Sequence, residues 1–177
     1  MIYLIGGTPR VGKSTLASII KERKKISVLS TDVLRNFLDF SPTKVGIKDI
    51  KNVDKKSEEF FPYFLQFLKI IQNKYDDYVI EGDLFTPKQL VLIKEQINFK
   101  CCFLGTSNIT LEDLKQIKNE HDWVSKFPQE RQDKFPDEFM KRSEITKIES
   151  EKNNFLYFDI FPDRNKALED AYNSLFN

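Results

Sequence analysis

The stretch GGTPRVGKST, Gly6 to Thr15, holds the residue types and spacing most able to do chemistry in this chain. Gly7-Thr8-Pro9-Arg10-Val11-Gly12-Lys13-Ser14 meets the pattern G-x-x-x-x-G-K-[ST] at every position. The glycines let the backbone turn so that its N–H groups converge on phosphate oxygens. A helix starting inside the motif adds its positive end. Lys13 is then expected to reach β- and γ-phosphates, and the Ser14 hydroxyl to ligate Mg²⁺. Gly7, Thr8, Pro9, Arg10, Val11, Gly12, Lys13, Ser14 and Thr15 are the expected contacts to a nucleoside triphosphate. The alternative is a loop of the same spacing that binds nothing. An apolar strand just before the motif and a helical pattern within it favour the cradle.

What becomes of the phosphate depends on acids at strand ends. Ser30-Thr31-Asp32-Val33-Leu34-Arg35 places a carboxylate where a second strand finishes, on the edge that lines the crevice in such sheets. Asp32 suits a proton acceptor for an attacking hydroxyl, or a group that holds that hydroxyl in line; its alternative is a helix N-cap. Arg35, one turn on, suits an anionic acceptor. Tyr78-Val79-Ile80-Glu81-Gly82-Asp83 ends a third strand with two more acids. Glu81 or Asp83 would orient a water on Mg²⁺ or touch the acceptor; a simple strand-end turn is the alternative. Between His121 and Pro136 cations mix with aromatics and proline. A lid there, carrying Lys126, Arg131 or Lys134, would bring positive charge to the transferring group and exclude water. Arg131 is taken as the catalytic candidate, and Arg142 on the following helix is another. Any one of these cations has a solvated surface position as its alternative. His121, the single histidine, is assigned no role.

These residues need a scaffold that gathers strand ends. Short apolar runs alternate with helical periodicity, as in a parallel sheet covered on both faces. Strands are expected at Ile2–Ile5, Ile26–Ser30, Tyr78–Ile80, Lys100–Leu104 and Phe155–Phe158. Helices are expected at Val11–Lys24, Val33–Phe40, Glu58–Tyr75, Pro87–Ile97, Leu111–Lys118, Asp137–Lys152 and Arg164–Phe176. The stripe Phe60, Phe64, Phe67, Leu68 and Ile71 reads as core, with a substrate wall as the alternative. Five parallel strands with crossover helices make a doubly wound α/β domain. The excursion 41–75 is expected on the acceptor side.

Composition narrows the class. The 177 residues suit one domain, 1–177, with 40% apolar and 31% charged content. Lys and Arg, 28, nearly cancel Asp and Glu, 27, so no global field draws the chain to nucleic acid or a membrane. Apolar runs are strand-sized, and the MIYLIGG start has no basic n-region, so a cytoplasmic protein is expected. Adjacent Cys101 and Cys102 lack metal-ligand spacing and are expected on opposite strand faces as small hydrophobes. A guanine-type N/T-K-x-D element after a strand is missing, as Asn165-Lys166-Ala167-Leu168 lacks its aspartate.

Cradle, strand-end acids and lid together resemble the adenylate-kinase-like small kinases with a P-loop. Within them the chain is most similar to proteins related to 2-phosphoglycerate kinase, through GTPRVGKST, STD-x-x-R and the IEG before Thr86-Pro87. The resemblance implies a three-layer fold with strand order 2-3-1-4-5 and a flexible lid, about 121–136, that closes over ATP. It also implies adenine held near Asp159 to Asp163. One departure is Asp83-Leu84-Phe85, where that pattern carries a histidine soon after IEG. The expected activity is transfer of the γ-phosphate of ATP to a hydroxyl of a small anionic metabolite. A regulatory ATPase without a small acceptor, or a toxin-like kinase, is the alternative.

Overall fold

A computed structural model describes residues 1–42, 45–47, 50, 52–74, 76–116 and 123–176. The central strand β1, Ile2–Gly7, is buried along its whole length. It pairs in parallel with β3, Tyr78–Glu81, on one side and with β4, Phe99–Gly105, on the other. Strand β2, Ser27–Ser30, adds outside β3, and β5, Leu156–Asp159, adds outside β4. The order is β2-β3-β1-β4-β5. This is the three-layer P-loop fold, and every strand points its carboxyl end to the same edge.

Alternation along β1 divides the core into two layers. Ile2 and Leu4 join Ile80, Cys101 and Phe103 beneath helix α3, Val53–Lys74. Tyr3 and Ile5 join Val79, Cys102 and Leu104 against α1, Lys13–Lys24, and the last helix, α8, Arg164–Phe176. The adjacent cysteines therefore lie in opposite layers, and burial holds the thiol of Cys101 up at about 12.

The aromatic stripe is core. Phe60, Phe64, Leu68 and Ile71 are buried, and Phe67 packs at the margin. Phe64 stacks between Phe60, 5.7 Å away, and Phe85, 5.1 Å away. Helix α3 begins at Val53, five residues before the apolar periodicity suggests, because Asp54, Lys55 and Lys56 in its opening turn carry no apolar period.

Helix α2, Thr31–Phe40, starts two residues early because Ser30 caps it. Helix α4 spans only Pro87–Val91, shorter than the expected Pro87–Ile97. Beyond it Ile93 N bonds Leu90 O and Gln96 N bonds Ile93 O, at 3.2 and 2.9 Å. These tighter turns still place Leu90 and Ile93 on one face, so both remain buried. Helix α5, Leu111–Gln116, precedes undescribed residues that include His121 and Asp122 of the expected lid. The described lid has a 3₁₀ turn, Val124–Lys126, and a short helix α6, Gln129–Gln132. Helix α7, Phe135–Lys152, follows and packs along β4 and β5.

Phe64→Ala should destabilise the protein by about 3–5 kcal/mol, read from the shift of its urea denaturation curve. A loss below about 1 kcal/mol would mean that the layer under α3 closes over the cavity.

Candidate active site

The cradle forms where β1 runs out. Gly7 has φ 124, and a Cβ there would collide with the Leu104 carbonyl. The next amide, Thr8 N, donates to that carbonyl at 3.1 Å, which fixes the loop against β4. Arg10 then turns left-handed at φ 67 and Gly12 at φ 98. Gly12 is the N-cap of α1 but brings no side chain to it, and no acid occupies the first turn. The opening N–H groups of the helix are thus left for an anion. Lys13 is only 8% exposed, with Nζ donating to the Thr8 carbonyl at 2.6 Å.

Carboxylates gather around this buried ammonium. Burial lowers the pKa of Lys13, while Asp83, Glu81 and Asp32 hold it up and Arg142 opposes them. Glu81, at the end of β3, is 7% exposed, and the nearby Ser30 and Ser14 hydroxyls favour its charged form. Burial still raises its pKa, against the pull of Lys13.

Asp32 is not the helix cap. The Ser30 hydroxyl takes that place by accepting the Asp32 N–H at 3.3 Å. Freed from capping, the Asp32 carboxylate pairs with Arg35 at 3.1 Å on the rim of the cleft. Arg35 also donates to Asn36 Oδ1 at 3.2 Å, and its buried Nε has no hydrogen-bond partner.

The cations of the sequence part company here. Arg142, on α7, donates to the Asp83 carbonyl at 2.7 Å and faces its carboxylate at 3.4 Å. It is therefore inside the cleft. Arg131 is engaged elsewhere: both Nη atoms bond Glu138, and the guanidinium lies 4.6 Å from the Phe135 ring centre. Lys134 pairs with Glu130 at 3.2 Å, and Lys126 is exposed. Trp123, Phe127, Phe135 and Phe139 pack the lid into an aromatic cluster. That cluster meets the cradle where Arg10 lies over the Trp123 ring at 5.6 Å.

On the far side of the cradle a cavity of about 490 Å³ is lined by Arg10, Asn108, Ile109, Phe161, Pro162 and Arg164, among others. Its wall includes the loop after β5, where the family resemblance expects a base. Arg164 Nη2 donates to Thr15 Oγ1 at 3.3 Å and so ties this wall to α1. A larger cavity of about 870 Å³ opens at the opposite ends of β4 and β5, around Asn98, Lys100 and Leu156. It shares no residue with the cleft.

The donor set suits Mg²⁺. Among the described residues no cluster of three or more acids, histidines or cysteines is built to hold a metal alone. One hydroxyl, Ser14, lies beside one buried carboxylate, Glu81. That is a sparse site of the kind Mg²⁺ completes with phosphate oxygens and water.

The residues to which the sequence reading gave no role of their own are Ser30, Ser143 and Thr106. Ser30 had a legible signal, as a serine just before a helical run. The others carried none, because their roles arise only where separate strands and α7 meet.

No protein-family model matches the chain, and no curated protein matches it. Solved structures do. A gluconokinase from Sinorhizobium meliloti 1021 aligns with 98% of this chain and 90% of its own, at TM-score 0.57 and 14% identity. A shikimate kinase from Bacteroides thetaiotaomicron aligns over 98% and 94%, at TM-score 0.58 and 13% identity. A sugar kinase from Janibacter sp. HTCC2649 aligns over 98% and 93%, at TM-score 0.62 and 12% identity. These likenesses establish the fold. Among the described residues no helix is long and apolar enough to cross a membrane.

The raised carboxyl of Glu81 has a consequence for stability. In the ordinary glutamate range the folded chain holds a proton that the unfolded chain releases, so this group's contribution falls as pH rises through the window. Glu81→Gln removes the titration. Its stability relative to the parent protein should therefore increase between about pH 4 and pH 7 in urea denaturation. A pH-independent difference would mean that Lys13 fully offsets the burial of Glu81.

Proposed function

We propose that this protein is an ATP-dependent phosphotransferase that moves the γ-phosphate to a hydroxyl of a small anionic metabolite, with Mg²⁺. The observation that carries the reading is the convergence of Lys13, Asp32, Glu81, Asp83 and Arg142 on one cradle. Triphosphate binding alone has no need of three acids and a second cation beyond the loop. The fold shared with proteins described as gluconokinase, shikimate kinase and sugar kinase supports the same class. The motif resemblance to 2-phosphoglycerate kinase fits an anionic acceptor, although Asp83-Leu84-Phe85 departs from that pattern.

In this reading Gly7 to Thr15 wrap the phosphates with backbone N–H groups, and Lys13 exchanges the Thr8 carbonyl for phosphate oxygens. Ser14 and Glu81 are the residues that would hold Mg²⁺. Bound Mg²⁺ would supply charge neutralisation and orientation of the phosphate chain. Asp32 accepts the proton of the acceptor hydroxyl, or holds that hydroxyl in line, as the oxygen–phosphorus bond forms and the β–γ bridge breaks. Arg35, next to it, takes an anionic group of the acceptor. Arg142 is the second cation for the transferring group, since it already lies beside Asp83. Arg131 would join only by leaving Glu138. The cavity around Phe161 and Arg164 takes the adenine end.

Metabolite pools screened for acceptor-dependent ADP release test the reading, and no release above the water background from any acceptor would refute it. Once an acceptor is found, Lys13→Ala should reduce turnover to background. Asp32→Asn should lower kcat by about 10²–10⁴ while moving the KM for ATP less than about threefold. Full activity in Asp32→Asn would remove that carboxylate from the mechanism. Arg142→Ala should lower kcat by about 10²–10³, and Arg131→Ala by far less. The reverse order would return the transferring group to the lid.

A further inference from the structure

Ser143, in the middle of α7, is 1% exposed and sits at the junction of three strand ends. Its Oγ lies 2.8 Å from Thr8 Oγ1 in the cradle. The Thr106 amide, just past β4, donates to the same oxygen at 3.0 Å. The Tyr157 hydroxyl of β5 borders the same corner. Gly105 makes room for this meeting, because a Cβ there would crowd the Tyr157 hydroxyl and lie 2.9 Å from Ser143 Cβ.

A serine hydroxyl has one proton and two lone pairs. The Thr106 N–H takes one lone pair. The Thr8 hydroxyl takes a second place on the same oxygen, as donor or as acceptor of its proton. The run continues into the phosphate site, because the Thr8 carbonyl receives Lys13 Nζ at 2.6 Å. Ser143, Thr8 and Lys13 thus form one line from α7 to the cradle's ammonium. Arg142, the preceding residue, reaches Asp83 beyond β3. Two adjacent residues of one helix therefore register the ends of β1, β3 and β4 against each other.

We infer that Ser143 is a positioning residue that holds Thr8, and through it the cradle and Lys13, in the geometry that receives nucleotide phosphates. The inference rests on the cradle's binding a nucleotide, but not on any acceptor. Removing the hydroxyl leaves the buried Thr106 N–H without its acceptor and frees Thr8 to turn. The loss should appear in nucleotide binding, beyond any loss of stability.

The test is calorimetric titration of ADP and ATP with Mg²⁺ into the full chain, with melting temperatures measured alongside. Ser143→Ala and Thr8→Val should each weaken ADP binding about tenfold, the loss of one hydrogen bond, at temperatures where both variants are folded. The double variant should weaken it little further, since both changes break one link. Thr8→Ser, which keeps a hydroxyl, should recover affinity relative to Thr8→Val. In turnover the KM for ATP should rise while that for the acceptor stays. Lower melting temperatures with unchanged ADP affinity in both single variants would overturn the inference and leave Ser143 as a packing residue. Additive losses in the double variant would also overturn it. A parent protein that binds neither nucleotide would defeat the inference and the kinase reading together. A parent that binds ADP but has no acceptor would defeat only the kinase reading.

Discussion

Burying the Lys13 ammonium is the constraint around which the rest is arranged. An ammonium at 8% exposure loses most of its hydration, and desolvation is the largest influence on it. It remains only because the Thr8 carbonyl accepts from it and three carboxylates surround it. Those acids arrive from the ends of β2 and β3 on the same edge of the sheet. The parallel topology is what allows this, because each crossover helix returns the chain so that the next strand ends beside the last. A phosphate chain would relieve the same strain by presenting its own negative charge to Lys13.

The acids are not equivalent. Glu81 is buried at the end of β3, beside Ser14 and Ser30. Asp32 is on the rim, 58% exposed at its side chain and paired with Arg35. Asp83 is clamped by Arg142 through both backbone and carboxylate. One acid thus lies deep beside Ser14, one on the rim with Arg35 and one against Arg142. The three differ in depth, since all share the same chemistry.

The lid shows how aromatic packing competes with charge. Its phenylalanines and Trp123 cluster, and Arg131 lies over Phe135 and bonds Glu138, three residues further along α7. A guanidinium held this way covers apolar surface as well as carrying charge. Arg142, seven residues on from Phe135, has no such aromatic partner among the described residues and turns into the cleft instead.

Much of this protein was legible locally. The glycine spacing of the cradle, the alternation of apolar strands with amphipathic helices, and the acids at strand ends all depend on residues a few positions apart. Their physics is that of backbone torsion and side-chain periodicity, which a sequence displays directly. Helix starts were less legible, because α2 begins on a serine cap and α3 on polar turns that show no apolar period. Tertiary structure alone decided which cation enters the cleft and what holds the cradle. Thr8 and Ser143 are 135 residues apart, yet their hydroxyls meet at 2.8 Å. Nothing around Ser143 distinguishes it from other serines of a polar helix. Its role comes from the face that α7 presents once it packs on β4 and β5, and packing is a property of the whole chain.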